Sequence, residues 1–287
     1  MKKLKSILVV FNGAETGNGH LRQAVKLASD GHCEVAVALV LPSASGKPVL
    51  VGVKDVGESA RSAIARTVTA VKPKVEEAEP QIQTILEGRV DEAIINVAKE
   101  RDCDLIIIGR GLKAIEAKPE KSFMESVTAR VIGKSPIDVL VVPRGAQIKW
   151  DHVLLAIDGS RCSEVATGKA LALSREFGSS LNILSVVNVP EEAYGDAPHE
   201  LERLVDKAKK FVGITKERAD SMHVRAEAFV REGSPHERIV NLANDTDSNI
   251  IFMGSYGRTG LRKLLMGSVT EKVIRQASCP VYVVKSC

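Results

Sequence analysis

Ser6-Ile-Leu-Val-Val-Phe-Asn-Gly13 and His152-Val-Leu-Leu-Ala-Ile-Asp-Gly159 are two copies of one pattern, a short aliphatic run closed by Asn or Asp and then Gly, set 146 residues apart. A run this short, with no polar alternation, reads as a strand buried on both faces, as in parallel sheets. The copies stay in step on moving outward. Leu86-Glu-Gly88 leads through a helical pattern to Asp104-Leu-Ile-Ile-Ile-Gly109, and Arg231-Glu-Gly233 leads likewise to Asn249-Ile-Ile-Phe-Met-Gly254, with 21 residues from glycine to glycine in both. Ser126-Val-Thr-Ala-Arg-Val-Ile132 is answered by Ser268-Val-Thr-Glu-Lys-Val-Ile274, and each precedes Pro and another aliphatic run, Pro136 to Val142 and Pro280 to Val284. Agreement of order and spacing over four segments implies duplication of a whole domain.

The chain of 287 residues is long enough for two domains, each with its own core. We expect domains at 1–146 and 147–287, with a junction around Gly145 to Asp151. Strands alternate with helical stretches in each half. Leu21, Ala24, Val25 and Ala28 form an apolar helix stripe that Gly31 can terminate, and Ser234-Pro235-His236-Glu237 reads as a capping box with Pro at the first helical position. Alternation of this kind predicts an α/β fold, two tandem doubly wound five-stranded parallel sheets of Rossmann type. Ligands of such sheets sit outside the carboxyl ends of the strands, where the strand order reverses.

Composition excludes several functions. Hydrophobic residues make 44% of the chain and charged residues 26%, as in ordinary globular proteins, while aromatics at 3% leave the core mainly aliphatic. The formal charge of +4 has no basic tail or stripe with stacking aromatics, which argues against nucleic acid. Ile7 to Phe11 is too short for a signal peptide or a membrane span. Five cysteines without a CxxC pair, odd in number, argue against a disulfide framework and for the cytoplasm. The six histidines show no metal-ligand spacing. Ser160 has no nucleophile-elbow context, and Cys162 reads as packing on a helix face.

Chemistry is predicted at the ends of two strands in the second half. Val153 to Ile157 ends in Asp158-Gly-Ser160, and Ile250 to Met253 ends in Gly254-Ser-Tyr-Gly257-Arg-Thr-Gly260. From Gly257 the chain runs on to Gly267-Ser268, where Val269, Val273, Ile274 and Ala277 mark a helix. A helix start offers unpaired N–H groups and partial positive charge, so it favours phosphate oxygens. Glycine lets the backbone approach the anion closely. Ser268 and Thr270 can add hydroxyl donors, Arg258 can meet a phosphate from the rim, and Asp158 can accept from ribose or adenine. Each feature alone has a plainer reading: Gly-Ser as a helix cap, Asp-Gly-Ser as a turn, Arg258 as part of a solvated face.

These residues resemble those of the universal stress protein family in its tandem two-domain form, over nearly the whole chain. Gly254, Gly257, Gly267 and Ser268 match the Gly-x2-Gly-x9-Gly-Ser/Thr pattern of the family's ATP-binding branch. The resemblance implies an adenine nucleotide alpha hydrolase-like topology. It also implies ATP as ligand, with or without Mg2+, and no metal site of the protein's own. Asp158 would contact the adenosine, Ala156 and Val186 would line the base pocket with Met253 flanking it, and Gly254, Gly257, Gly267, Ser268, Val269 and Thr270 would hold the phosphates; Ile157 and Arg258 complete the expected cofactor-binding set. Tyr256 stands where a His is frequent in the family.

The first half departs at each of these places. Asn12 replaces Asp158, Gly109-Arg-Gly111-Leu112 shifts the second glycine, and Glu125 replaces the glycine before the serine. The loop from Gly109 to Ser126 spans 17 residues against 14 from Gly254 to Ser268. A carboxylate at the phosphate position would repel a triphosphate. A weak or empty nucleotide site follows for residues 1–146, or a site for another ligand shaped by Glu58 to Lys74.

With neither a Walker lysine nor an evident general base, turnover of ATP is at most slow. The expected output is nucleotide-dependent dimerisation or contact with an unidentified protein partner, as a homodimer or an intramolecular pseudo-dimer. The last strands, Pro136 to Val142 and Pro280 to Val284, are apolar edges suited to pairing across the domains or between chains. Two rivals stand beside this reading. An adenylating ATP-dependent enzyme of the related superfamily would want an SGGxDS-like loop, which Ile157-Asp-Gly-Ser-Arg-Cys162 lacks. A nucleotide-free interaction scaffold would need none of the glycines.

Overall fold

The computed structural model describes residues 4–11, 23–24, 33–42, 48–55, 90–110, 126–188, 198–257 and 266–285. The chain divides into two compact units, Lys2–Ile148 and Lys149–Cys287 with Met1. Each contains a sheet of the expected α/β kind.

In the first unit the strands are β1 (Ser6–Phe11), β2 (Glu34–Pro42), β3 (Pro48–Asp55), β4 (Leu105–Gly109) and β5 (Asp138–Val142), in the order β3-β2-β1-β4-β5. Helices α1 (Val90–Glu100) and α2 (Val127–Lys134) pack on each other and on this sheet. The aliphatic runs become the core: Ile7, Leu8, Leu105, Ile106 and Leu140 have no exposed surface. Strands β1, β2, β4 and β5 are parallel, but β3 pairs with β2 antiparallel. This departs from an all-parallel sheet, and chain length is the reason. Only residues 43–47 join the two strands, whereas a parallel return needs a crossover of about a dozen residues or more.

The second unit is wholly parallel. Its strands are β6 (His152–Ile157), β7 (Ser180–Val187), β8 (Ala226–Glu232), β9 (Ile250–Gly254) and β10 (Val281–Val284), in the order β10-β9-β6-β7-β8. Helices α3 (Arg161–Phe177), α4 (Pro198–Ser221), α5 (Pro235–Asp245) and α6 (Ser268–Gln276) fill the connections. Strand order reverses between β6 and β9, which places the switch point at the ends of the two strands that carry Asp158 and Gly254. An aromatic cluster packs in this unit away from the switch point: Phe252 of β9 stacks on Tyr282 of β10 at 4.4 Å, and Trp150, just before β6, stacks on Phe177 at 5.0 Å.

Two expectations about local structure need comment. Ser234 does stand before α5, but no capping box forms; its hydroxyl pairs with His236 Nδ1 at 2.9 Å, two residues on. The nearer imidazole takes the hydroxyl that the helix amide would otherwise have used. Of the stripe Leu21, Ala24, Val25 and Ala28 with Gly31, only Ala24 is among the described residues, and it is buried.

Candidate functional site

The site is built on the register of β9, β6 and β7. Leu155 faces Phe252 and Ala156 faces Leu184. In a parallel sheet paired residues project to the same face, and so do residues two apart on a strand. Ala156, Met253, Leu184 and Val186 therefore share one face, with Asp158 next beyond β6. Met253 is buried, whereas Ala156, Asp158 and Val186 keep partial exposure at the carboxyl edge.

Asp158 holds the first turn. Its Oδ1 accepts from Ser160 N–H at 2.9 Å, and Ser160 Oγ in turn accepts from Ser163 N–H at 3.2 Å as the cap of α3. The role of Ser160 is thus to start a helix. The other carboxylate oxygen of Asp158 faces the glycine loop, since a Cβ on Gly257 would lie 2.8 Å from it.

The glycines are set by close approach. A Cβ on Gly254 would lie 2.8 Å from Cys162 Cβ and 3.1 Å from the Cys162 backbone carbon. Real Cβ atoms do not come so near, so β9 can meet the head of α3 only with glycine at its end. A Cβ on Gly267 would stand 3.3 Å from Ser255 O, and Gly267 N–H donates to that same oxygen at 2.8 Å. The head of α6 is therefore docked on the loop that follows β9. Thr270, buried, donates its hydroxyl to Gly254 O at 3.0 Å and latches the helix to the strand from behind.

Residue 267 caps α6 with extended backbone (φ −68°, ψ 145°) and, being glycine, brings no side chain to the first-turn amides. The intrahelical ladder begins with Glu271 N–H donating to Gly267 O at 3.0 Å. The N–H groups of Ser268, Val269 and Thr270 thus precede the first i to i−4 bond, at the positive end of the helix. Ser268 is exposed and Val269 partly so. Donors at a helix start, glycines where the backbone passes close to its neighbours and a carboxylate across from them form a set that fits a phosphate chain with a sugar beside Asp158. Arg258 lies outside the described residues.

One residue of this neighbourhood was not singled out in the sequence. Lys285 follows β10, and its ammonium sits over the Tyr256 ring, 5.4 Å from the centroid. Burial pushes the Tyr256 phenol above its usual pKa. The only sequence signal was a cation directly after the last aliphatic run.

In the first unit the frame is repeated with different fittings. Thr128 donates to Gly109 O at 2.9 Å, as Thr270 does to Gly254, and Arg110 N–H bonds Val142 O as Ser255 N–H bonds Val284 O. But Ser126 caps α2, accepting from Ala129 N–H at 3.1 Å. Among the described residues, a Cβ on Gly109 would meet nothing within 4 Å. Asn12, Gly111, Leu112, Glu125 and the stretch Glu58 to Lys74 lie outside the described residues.

The thiols are mixed. Cys33, Cys103 and Cys279 are free, and Cys162 is disulfide-bonded. An odd count excludes complete pairing but not a single bond, so Cys162 is more than helix packing. Burial pushes the Cys279 thiol up to about 11 and raises Cys103 as well, which leaves both protonated at neutral pH. Among the described residues no helix is long and apolar enough to cross a membrane.

Comparison with known proteins agrees with the duplication. The model of the universal stress protein family matches residues 3–143 and again residues 149–285. A universal stress protein of Methanocaldococcus jannaschii is 32% identical over 148 residues, half of this chain and 86% of that one. The universal stress protein E homolog of Haemophilus influenzae is 24% identical over 99% of this chain and 98% of its own. A solved universal stress protein from Archaeoglobus fulgidus has the same fold, with a TM-score of 0.66 and 20% identity over 98% of this chain and 96% of that one.

Proposed function

The chain belongs to the universal stress protein family, and we propose that it is an ATP-binding regulatory protein of the stress response. Nucleotide held by the second unit biases its conformation, its dimerisation or its contact with a protein partner. The observation that carries this reading is the glycine-headed α6, its first-turn amides ahead of the helical ladder and docked on the loop that follows β9. On this reading Asp158 takes the ribose or adenine edge, with Ala156, Val186 and Met253 lining the base; Ile157, expected with them, projects from the opposite face, toward Ser163, Thr167 and Phe211. Gly254, Gly257, Arg258, Gly267, Ser268, Val269 and Thr270 form the phosphate cradle. Thr270 would act through its N–H, since its hydroxyl is donated to Gly254 O. ATP, with or without Mg2+, brings the polyanion that this set of donors suits.

The first unit holds nucleotide weakly or not at all, because the helix end that the second unit leaves open is capped there by Ser126. Regulation then needs differential affinity: ATP shifts the protein between states only as far as it binds one of them more tightly. We place the protein in the cytoplasm; three of its described cysteines are free thiols, beside the disulfide-bonded Cys162.

Heating the purified protein and analysing the supernatant tests the proposal. Adenine nucleotide is expected. A supernatant without it, together with no heat of ATP binding by the refilled protein, would leave an interaction scaffold as the better reading. Stoichiometric pyrophosphate release from added ATP would indicate an adenylating enzyme.

A further inference from the structure

We propose that Lys285 is a nucleotide-binding residue of the second unit, a cation beside Tyr256 that serves the phosphates. This rests on the reading of that unit as an ATP site. Its placement follows from backbone bonds. Ser255 N–H donates to Val284 O at 3.1 Å, and Gly267 N–H donates to Ser255 O at 2.8 Å. The end of β10, the loop after β9 and the head of α6 are thus tied in one continuous series. Lys285 is the next residue after Val284, and its Nζ lies 5.4 Å from the centre of the Tyr256 ring, on the residue between Ser255 and Gly257.

The duplication separates frame from fittings. In the first unit Arg110 N–H makes the same bond to Val142 O, so the strand-to-loop tie does not depend on a following lysine. Pro143 stands there instead of Lys285. At the place after Val142 that corresponds to Lys285, beside the helix that Ser126 caps, the first unit has no lysine. The head of α6 also has a need for it. A helix end supplies only about half a unit of positive charge, and the acid in this first turn, Glu271, turns to Arg275 at 3.9 Å. A polyphosphate is better neutralised with a whole charge nearby.

Titration calorimetry of ATP and of adenosine into wild type, Lys285→Gln and Lys285→Arg tests this. Lys285→Gln is expected to weaken ATP about tenfold while leaving adenosine unchanged, and Lys285→Arg to restore ATP. The salt dependence of ATP affinity should fall with Lys285→Gln. Equal ATP affinity in wild type and Lys285→Gln would overturn the proposal. Equal loss of ATP and adenosine would overturn it as well, since lysine would then only support the loop. Wild type that binds neither ligand would instead remove the ATP reading beneath it.

Discussion

Ser126 and Ser268 occupy the same place in the repeated sequence and do different work. In the first unit the serine is the cap, and its oxygen is consumed by the amide of Ala129. In the second the cap has moved back one residue to Gly267, and Ser268 has become the first, exposed residue of the helix. Both helices remain latched to their strands by an equivalent threonine, Thr128 and Thr270. Duplication has therefore kept what holds the helix in place and changed only what its end presents. The serine takes up one first-turn amide of the first helix; the end headed by glycine has no such side-chain cap.

The sharpest way to break this contrast is to make the second unit resemble the first. Gly267→Glu copies the first unit's carboxylate and should weaken ATP by about 100-fold or more, since a juxtaposed like charge costs several kcal/mol. Calorimetry showing equal affinity would remove the loop assignment. The reverse change, Glu125→Gly, should produce a measurable gain in the first unit.

The glycines ending β9 and β4 give the next largest difference. Gly254→Ala forces a Cβ into Cys162 and should cost about 1–3 kcal/mol of stability, whereas Gly109→Ala meets none of the described residues and should stay within about 0.5 kcal/mol. Denaturant melts that show equal costs would mean the second unit is not packed as described.

Acid should separate the units as well. Asp91 of α1 is buried and accepts from Lys134 at 2.7 Å and Arg130 at 3.1 Å, where the second unit carries His236. Burial raises its pKa, but the bonds to Lys134 and Arg130 outweigh burial and leave it below the ordinary carboxylate value. A depressed pKa means that its contribution is whole above pH about 4 and is lost as pH falls through the folded value. Asp91→Asn should cost about 1–3 kcal/mol at neutral pH and flatten the acid limb of the stability profile. An unchanged limb would show that the ion pairs do not stabilise the unit.

The smallest effects concern the threonines. Thr128→Val and Thr270→Val should each cost about 1 kcal/mol, but only the second should weaken ATP. If both or neither alter ATP affinity, the latch is not specific to the second site.

Much of this could be read before any coordinates. Aliphatic runs bounded by Gly and Asp or Asn gave the strands, and the repeat gave the units, because buried parallel strands leave a strong local signature. The antiparallel β3 was missed because its direction depends on the short connection at residues 43–47, not on the composition of Pro48–Asp55. At the site, the spacing of Gly254, Gly257 and Gly267 was legible, yet the neighbours that require glycine there, Cys162 and Asp158, come from another strand-helix junction. The hydroxyl of Thr270 looked like a phosphate donor in sequence; folding turns it toward Gly254 O. Lys285 went unnoticed because nothing local marks a lysine that lies over a ring 29 positions earlier.

Amide chemical shifts followed during titration with ATP test the open helix end most directly. The amides of Ser268, Val269 and Thr270 should move with increasing nucleotide while those of Val127, Thr128 and Ala129 stay in place. Saturating ATP that leaves the first three unshifted, or shifts both sets alike, would contradict the assignment of the cradle to α6.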